Sequence, residues 1–281
     1  MKHFWKKSNT AVRISLIIAF IFLAIAIFAP LITPHSPNEL YNDALKLPPI
    51  WSEGGTSTHI LGTDDVGRDQ FSRLAYGARI SFVIGLGVVF IATVLGSFLG
   101  LLSGFYGDKV DFVIMRFTDI LMALPSILLA IVIVSLLGPG LINTMFAVAI
   151  VSLPTFIRLV RASVLEQKAR DYVQAAHANG ATSFRIMLKE IFPNAMAPII
   201  VQASLGFSEA VLSAAALGFL GLGVQPPTPE WGTMLADARG YIESAPWLVT
   251  LPGVCILLIV VTFNLIGDGL RDFLDPRMKG R

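Results

Sequence analysis

The stretch "ISFVIGLGVVFIATVLGSFLGLLSG", residues 80–104, decides the fold. It contains no charged residue and no proline. It exceeds the roughly 20 apolar residues that a helix needs to cross a bilayer. Its apolar character is continuous, whereas a barrel strand would be short and alternating. Lipid offers the backbone no hydrogen bonds, so a run of this kind is a helix. Gly96, Gly100 and Gly104 recur at four-residue spacing on one face, where a second helix can approach closely. The spacing fits a seam that moves or one that stays put. Static packing is the simpler account, because the motif speaks only to packing.

Five further runs of the same kind lie on either side: about Ile14–Ile32, Phe112–Leu137, Leu141–Val160, Ala197–Val224 and Trp247–Ile266. The chain is therefore expected to be an all-α integral membrane protein with six transmembrane helices. Composition agrees. Only 14% of residues are charged, against roughly 25% in soluble domains, so lipid must solvate much of the surface. A net charge of only +2 argues against nucleic acid as a partner, although the distribution of the charges matters more than their sum. The single cysteine, Cys255, excludes an internal disulfide and a cysteine metal cage. The first run could be a signal peptide, with Ala24-Ile25-Ala26 as its cleavage site. It continues to Ile32, which is long for such a segment and favours an uncleaved helix.

Six spans place both termini on one side. Sixteen of the 21 lysines and arginines fall on that side: the N-terminal tail, Lys109 and Arg116, the 162–193 connection with its flanks, and the C-terminal tail. The positive-inside rule makes that side cytoplasmic.

Few ionisable groups lie at depth. Glu209 is the one acid well inside an apolar run, so it should face the bundle interior, a cavity or a partner chain. It reads equally well as a pathway-lining group and as a hydrogen-bonded buried acid. Arg116 and Asp119, three apart, are expected to pair on one helix face. A proton-driven carrier would string several acids or histidines through its spans, whereas His3, His35, His59 and His177 all lie outside them. Prolines 125, 154, 198 and 252 allow kinks, which are common in membrane helices.

The outer connection 33–79 contains "LGTDDVGRD", residues 61–69, with the glycine spacing of a phosphate-binding loop. It lacks the Lys-Ser/Thr pair, and Asp64, Asp65 and Asp69 would repel phosphate, so a structured turn is expected. Arg73 and Arg79 are expected to anchor the following helix at the membrane interface. In the second outer connection, "WGTMLADARGYI" (231–242) reads as a short amphipathic helix with Trp231 and Tyr241 at the interface. It could be a lid, a dock or a plug.

Residues 162–193 are polar and helix-forming, broken at Gly180. Glycine commonly follows a helix C-terminus because it tolerates positive φ. The expectation is a helix over 163–178, a turn at Asn179-Gly180 and a second helix capped by Thr182 or Ser183 that ends before Pro193. There is no nucleophile–base pair and no metal-ligand spacing. A simple tether would not need two ordered helices, whereas a docking surface would.

"QAAHANG", residues 174–180, followed by Pro193, resembles the cytoplasmic loop of ABC importer permeases. "YGARIS" (76–81), "LGFLGLGVQPPTPEWGTML" (217–235), "NLIGDGLRDFLDPR" (264–277) and the 61–69 segment resemble the dipeptide/oligopeptide/nickel branch of that family, most of all the dipeptide permeases of Gram-negative bacteria. Gln174 stands where the family has Glu. Glu190 and Phe192 replace Ile and Leu.

The resemblance implies the type I importer permease fold. The N-terminal tail, first helix and long periplasmic loop occupy 1–79, and the five-helix transmembrane domain with its coupling loop occupies 80–281. It implies transport of dipeptides or short peptides across the bacterial inner membrane, with no catalysis in this chain. Other cargo open within the family are nickel, oligopeptide, glutathione and haem; a carrier independent of ATP is the rival outside it. The implied partners are a second homologous permease, two ABC ATPases that bind ATP and Mg, a periplasmic substrate-binding protein, and the lipid bilayer. The implied ATPase-coupling residues are Gln174, Ala175, Ala176, Gly180 and Pro193.

Overall fold

The computed structural model describes residues 9–274. Its helices are α1 (Thr10–Ile32), α2 (Gln70–Tyr106), α3 (Asp108–Met122), α4 (Ser126–Leu137), α5 (Leu141–Lys168), α6 (Asp171–Ala178), α7 (Ser183–Phe219), α8 (Trp231–Ala238) and α9 (Trp247–Leu274). No β-strand forms among these residues beyond a single Thr63–Asp69 bridge. The charges at Lys2, Lys6, Lys7, Arg277, Lys279 and Arg281 lie outside the described residues.

Five helices, α1, α2, α5, α7 and α9, are long and apolar enough to cross a membrane. The third expected span is not one rod. α3 and α4 meet at 93° across Ala123–Pro125, so they make a sixth span only if taken together. Pro125 has no N–H to continue the ladder, and its ring pushes Leu124 out of the helical region. Large apolar side chains such as Phe20, Phe90 and Leu31 face outward, as lipid or another chain would require.

The glycine seam packs α2 against α5. A Cβ on Gly96 would lie 2.5 Å from Cβ of Phe156, and one on Gly104 would lie 2.8 Å from Cβ of Val164. Behind the seam, α2 meets α7 through Phe82 and Phe207, and Phe207 stacks on Phe263 of α9 at 3.9 Å. α1 belongs to the same bundle. Ala26 and Ala29 are buried, and Val12 closes on Gly269 of α9.

At the end opposite the 162–193 loop, two expectations fail. Trp231 is not interfacial. It is 1% exposed, donates from Nε1 to the Leu74 carbonyl at 3.1 Å, and covers Gly77. Arg73 is not an interfacial anchor either. It is buried, lies 3.4 Å from Asp64, and donates to the Pro37 and Pro227 carbonyls, which joins the two outer connections. The outer connections and α2 cover groups that hydropathy alone assigns to the rim. Asp119 also departs from expectation. It pairs with Arg158 of α5 at 2.6 Å, while Arg116 is exposed.

Glu230 caps α8 with both oxygens, accepting from Gly232 N at 2.8 Å and Thr233 N at 2.9 Å. Burial raises its pKa above the ordinary 4.5, although the two backbone donors oppose the shift. A raised acid stabilises the fold most below its unfolded pKa. That contribution is lost as pH climbs from about 4.5 through the raised folded value. Thermal melts of the purified protein should therefore show stability falling over that window. In Glu230→Gln, which cannot ionise, this component of the slope should vanish.

Candidate functional site

The interrupted loop is built in three steps. α5 ends at Lys168, and Arg170 is extended (φ −79°, ψ 147°), so α6 starts afresh at Asp171. The expected single helix over 163–178 is thus two. After the break Val173 is 1% exposed and packs into the core. α6 then closes with a complete Schellman motif. Ala181 N donates to Ala176 O at 3.1 Å and Gly180 N to His177 O at 3.0 Å, with Gly180 at φ +77°. Finally, Thr182 caps the next helix, as expected, by accepting from Arg185 N.

That next helix does not end before Pro193. It opens with one α-turn, passes through a π-helical stretch at Ile186–Ile191, and runs on to Phe219. Proline is tolerated where the ladder changes register, because the missing donor falls at a turn whose bonds are already displaced. Asn194 Nδ2 donates to the Glu190 carbonyl at 2.7 Å and so satisfies one acceptor there.

The loop has two faces. Its inner face places Val173, Ile186, Met187 and Ile191 against Leu101, Phe105, Val160, Val164 and Ile199. These belong to α2, α5 and α7, so a force on the loop reaches three helices through close packing. Lys168 adds a clasp by donating to the Phe105 carbonyl at 2.6 Å. Nearby, Arg161 grips Asp111 with two bonds of 2.5 and 2.6 Å, which holds α3 to α5. The outer face presents Gln174, Ala175, Gly180, Phe184 and Leu188 to solvent, and Pro193 is also exposed. Ala176 is half-buried against the inner cluster. Phe184 is apolar yet 68% exposed among the described residues.

Beside the loop, a cleft of about 530 Å³ opens between α5, α7 and α9, with Ser163, Glu166, Gln167, Asn194, Gln202 and Arg271 among its lining. Glu209 is separate from both features. It sits between buried Ser208 and Ala210 on α7, yet points away from this chain's own core. It therefore does not occupy the interior of this chain's bundle. The 61–69 segment cannot cradle phosphate. Asp64 Oδ1 already accepts from Val66 N and Arg68 N, and Asp69 Oδ2 from Ser72 N, so the turn uses its own amides. The break at Ala169–Arg170 and the π turn had no clear local signal, since both arise from the pull of Val173 and Ile186 into the core.

The family described as binding-protein-dependent transport system inner membrane component matches residues 77–280. The chain belongs to that family. A second family, the N-terminal transmembrane domain of oligopeptide transport permease C, matches residues 4–49 of this permease. The di/tripeptide transport system permease protein of Pseudomonas aeruginosa (strain UCBPP-PA14) is 54% identical over 281 residues, which is 99% of this permease and 93% of the relative. The dipeptide transport system permease protein of Escherichia coli K12 is 54% identical over 277 residues, covering 99% and 92%. A glutathione transport system permease protein of Pectobacterium atrosepticum is 42% identical over 281 residues, covering 99% and 91%. Among solved structures, a chain of the inward-facing MetNI methionine ABC transporter aligns with TM-score 0.60 at 20% identity, over 72% of this permease and 96% of that chain. That likeness shows a shared fold.

Proposed function

We propose that this permease imports dipeptides or short peptides across the bacterial inner membrane as one of two homologous transmembrane chains. Two ABC ATPases, which bind the ATP and Mg, drive it from the cytoplasm, and a periplasmic binding protein delivers the cargo. The observation that carries this reading is the two-faced loop. Its inner face is continuous with α2, α5 and α7, and its outer face exposes small, polar and apolar groups together, among them Gln174, Ala175, Gly180 and Phe184. Gln174, Ala175, Ala176 and Gly180 form the seat for the ATPase, and Pro193 marks where the seat passes into α7. The charge bias puts this loop and both termini in the cytoplasm. The ATPase moves the permeases between states because its open and closed forms make different contacts with the loop. Glu209, exposed on the wall of α7, faces the second permease or the pathway between the two chains. The chain itself carries out no chemistry.

The test is reconstitution in liposomes of the two permeases and two ATPases, with binding protein and labelled dipeptide outside. Uptake should require internal ATP and all components, and unlabelled dipeptide should compete better than glutathione or Ni(II). Uptake driven by an ion gradient without ATP would overturn the reading.

A further inference from the structure

We propose that His35, His59 and Asp69 form a binding site for a borderline divalent transition-metal ion, of which Zn(II) is the test case. The three residues come from distant points of the outer connection. His35 follows the end of α1, His59 lies mid-connection, and Asp69 is the N-cap of α2. Each offers one ligand atom, and these atoms all lie within 4.8 Å of one another, an arrangement unique among the described residues. Two nitrogen donors and one carboxylate oxygen suit Zn(II), Ni(II) or Cu(II) better than Mg(II) or Ca(II), which prefer oxygen alone.

The surroundings are already ordered as a metal site needs. Asp69 is fully buried, and its Oδ2 is held by Ser72 N at 2.8 Å and Ser72 Oγ at 2.7 Å, which leaves Oδ1 aimed at His59 Nδ1, 2.9 Å away. His59 is 5% exposed and its ring lies 4.7 Å from that of His35. His35 Nε2 faces the Thr58 carbonyl at 2.9 Å. A carbonyl only accepts, so Nε2 carries the hydrogen and Nδ1 keeps its lone pair, now accepting from Tyr41 Oη at 2.9 Å. Outer partners that fix tautomer and ring orientation are what hold metal-binding histidines in place.

Metal–ligand bonds of about 2.0–2.2 Å require donor atoms closer together than 4.8 Å. The His59–Asp69 pair is already near enough, so half-buried His35 is the ligand that closes in. The ion takes the place of the proton shared by His59 and Asp69 and accepts the lone pair of His35. Tyr41 Oη or a water supplies the fourth donor. The bound ion ties the exit of α1 to the start of α2, which otherwise communicate through a long connection.

The experiment uses the full chain, purified with a tag free of histidine and stripped with EDTA. Equilibrium dialysis against buffered Zn(II) should give one ion per chain and a higher Tm. In His35→Ala, affinity should fall roughly tenfold or more and the Tm gain should disappear. His35 also bonds Thr58 and Tyr41 without any ion, so the Tm gain on adding Zn(II) is read for each protein against its own Tm in EDTA. Absence of stoichiometric Zn(II) in the wild type would overturn the proposal, as would equal affinity in His35→Ala. Should His35→Ala fail to fold, Co(II) bound to the wild type decides. Intense tetrahedral d–d bands support the site, and the weak spectrum of hydrated Co(II) overturns it.

Discussion

Gly100→Val is expected to destabilise the folded permease strongly. A Cβ at this position would lie 2.7 Å from the Ile157 carbonyl oxygen and 2.7 Å from Cβ of Val160. Neither is the far end of a flexible side chain. One is backbone inside α5, and the other is fixed to it, so relief requires the two helices to separate. Separation would also undo the Gly96 and Gly104 contacts along the same seam. Overpacking a close-packed interior commonly costs about 1–3 kcal/mol, and a clash against backbone belongs at or beyond the upper end. Net stabilities are only about 5–15 kcal/mol, so the permease should lose much of its monodisperse peak in detergent and several degrees of Tm. Gly253→Ala is the control. That glycine lies within α9 and a Cβ there meets nothing within 4 Å, so alanine should be neutral or mildly stabilising. A Gly100→Val protein with wild-type Tm would show that α2 and α5 are not packed as described.

The second large effect is on coupling. Gly180→Val should leave the bundle folded yet lower ATP-driven uptake roughly 5–30-fold. Gly180 has φ +77°, and a Cβ there would meet nothing within 4 Å. The cost is therefore conformational rather than steric. A non-glycine residue pays about 1–2 kcal/mol in the left-handed region, and a β-branched one is a poor occupant. One to two kcal/mol shifts a two-state population by a factor of about 5–30. The Schellman turn would open, and α6 would lose the register that sets Ala175 and Gly180 on the exposed face. Co-purification of the ATPase should drop with uptake, while Tm changes little. Gly180→Asn is the discriminating partner, because asparagine tolerates positive φ and should retain most activity. Equal loss in both variants would assign the effect to an added side chain on the exposed docking surface rather than to φ. Full activity in Gly180→Val would remove Gly180 from the coupling surface.

Parts of the site were legible because they rest on short-range chemistry. Glycine after a helix with small residues before it signals a Schellman stop, and Thr182 ahead of "SFR" signals a cap. Both depend on residues within one turn of each other. The Gly96-Gly100-Gly104 seam was legible for the same reason, although its partner helix was not. Glu209 shows the opposite case. An acid in an apolar run had to face away from lipid, yet only the packed helices reveal that it faces away from this chain as well.

The sequence by itself determined the number and extent of most spans, the polar loop and its glycine stop, and the absence of a phosphate-binding loop. Each follows from composition or spacing within a few residues. Only the tertiary structure decided that α3 and α4 diverge by 93°, that an extended Arg170 separates α5 from α6, and that Trp231 and Arg73 are interior. The physical reason is separation along the chain. Trp231 owes its burial to Leu74 and Gly77, and Arg73 owes its own to Pro37, Asp64 and Pro227. Partners so distant in sequence leave no periodic trace beside the residue they cover, so burial there becomes visible only once the helices have assembled.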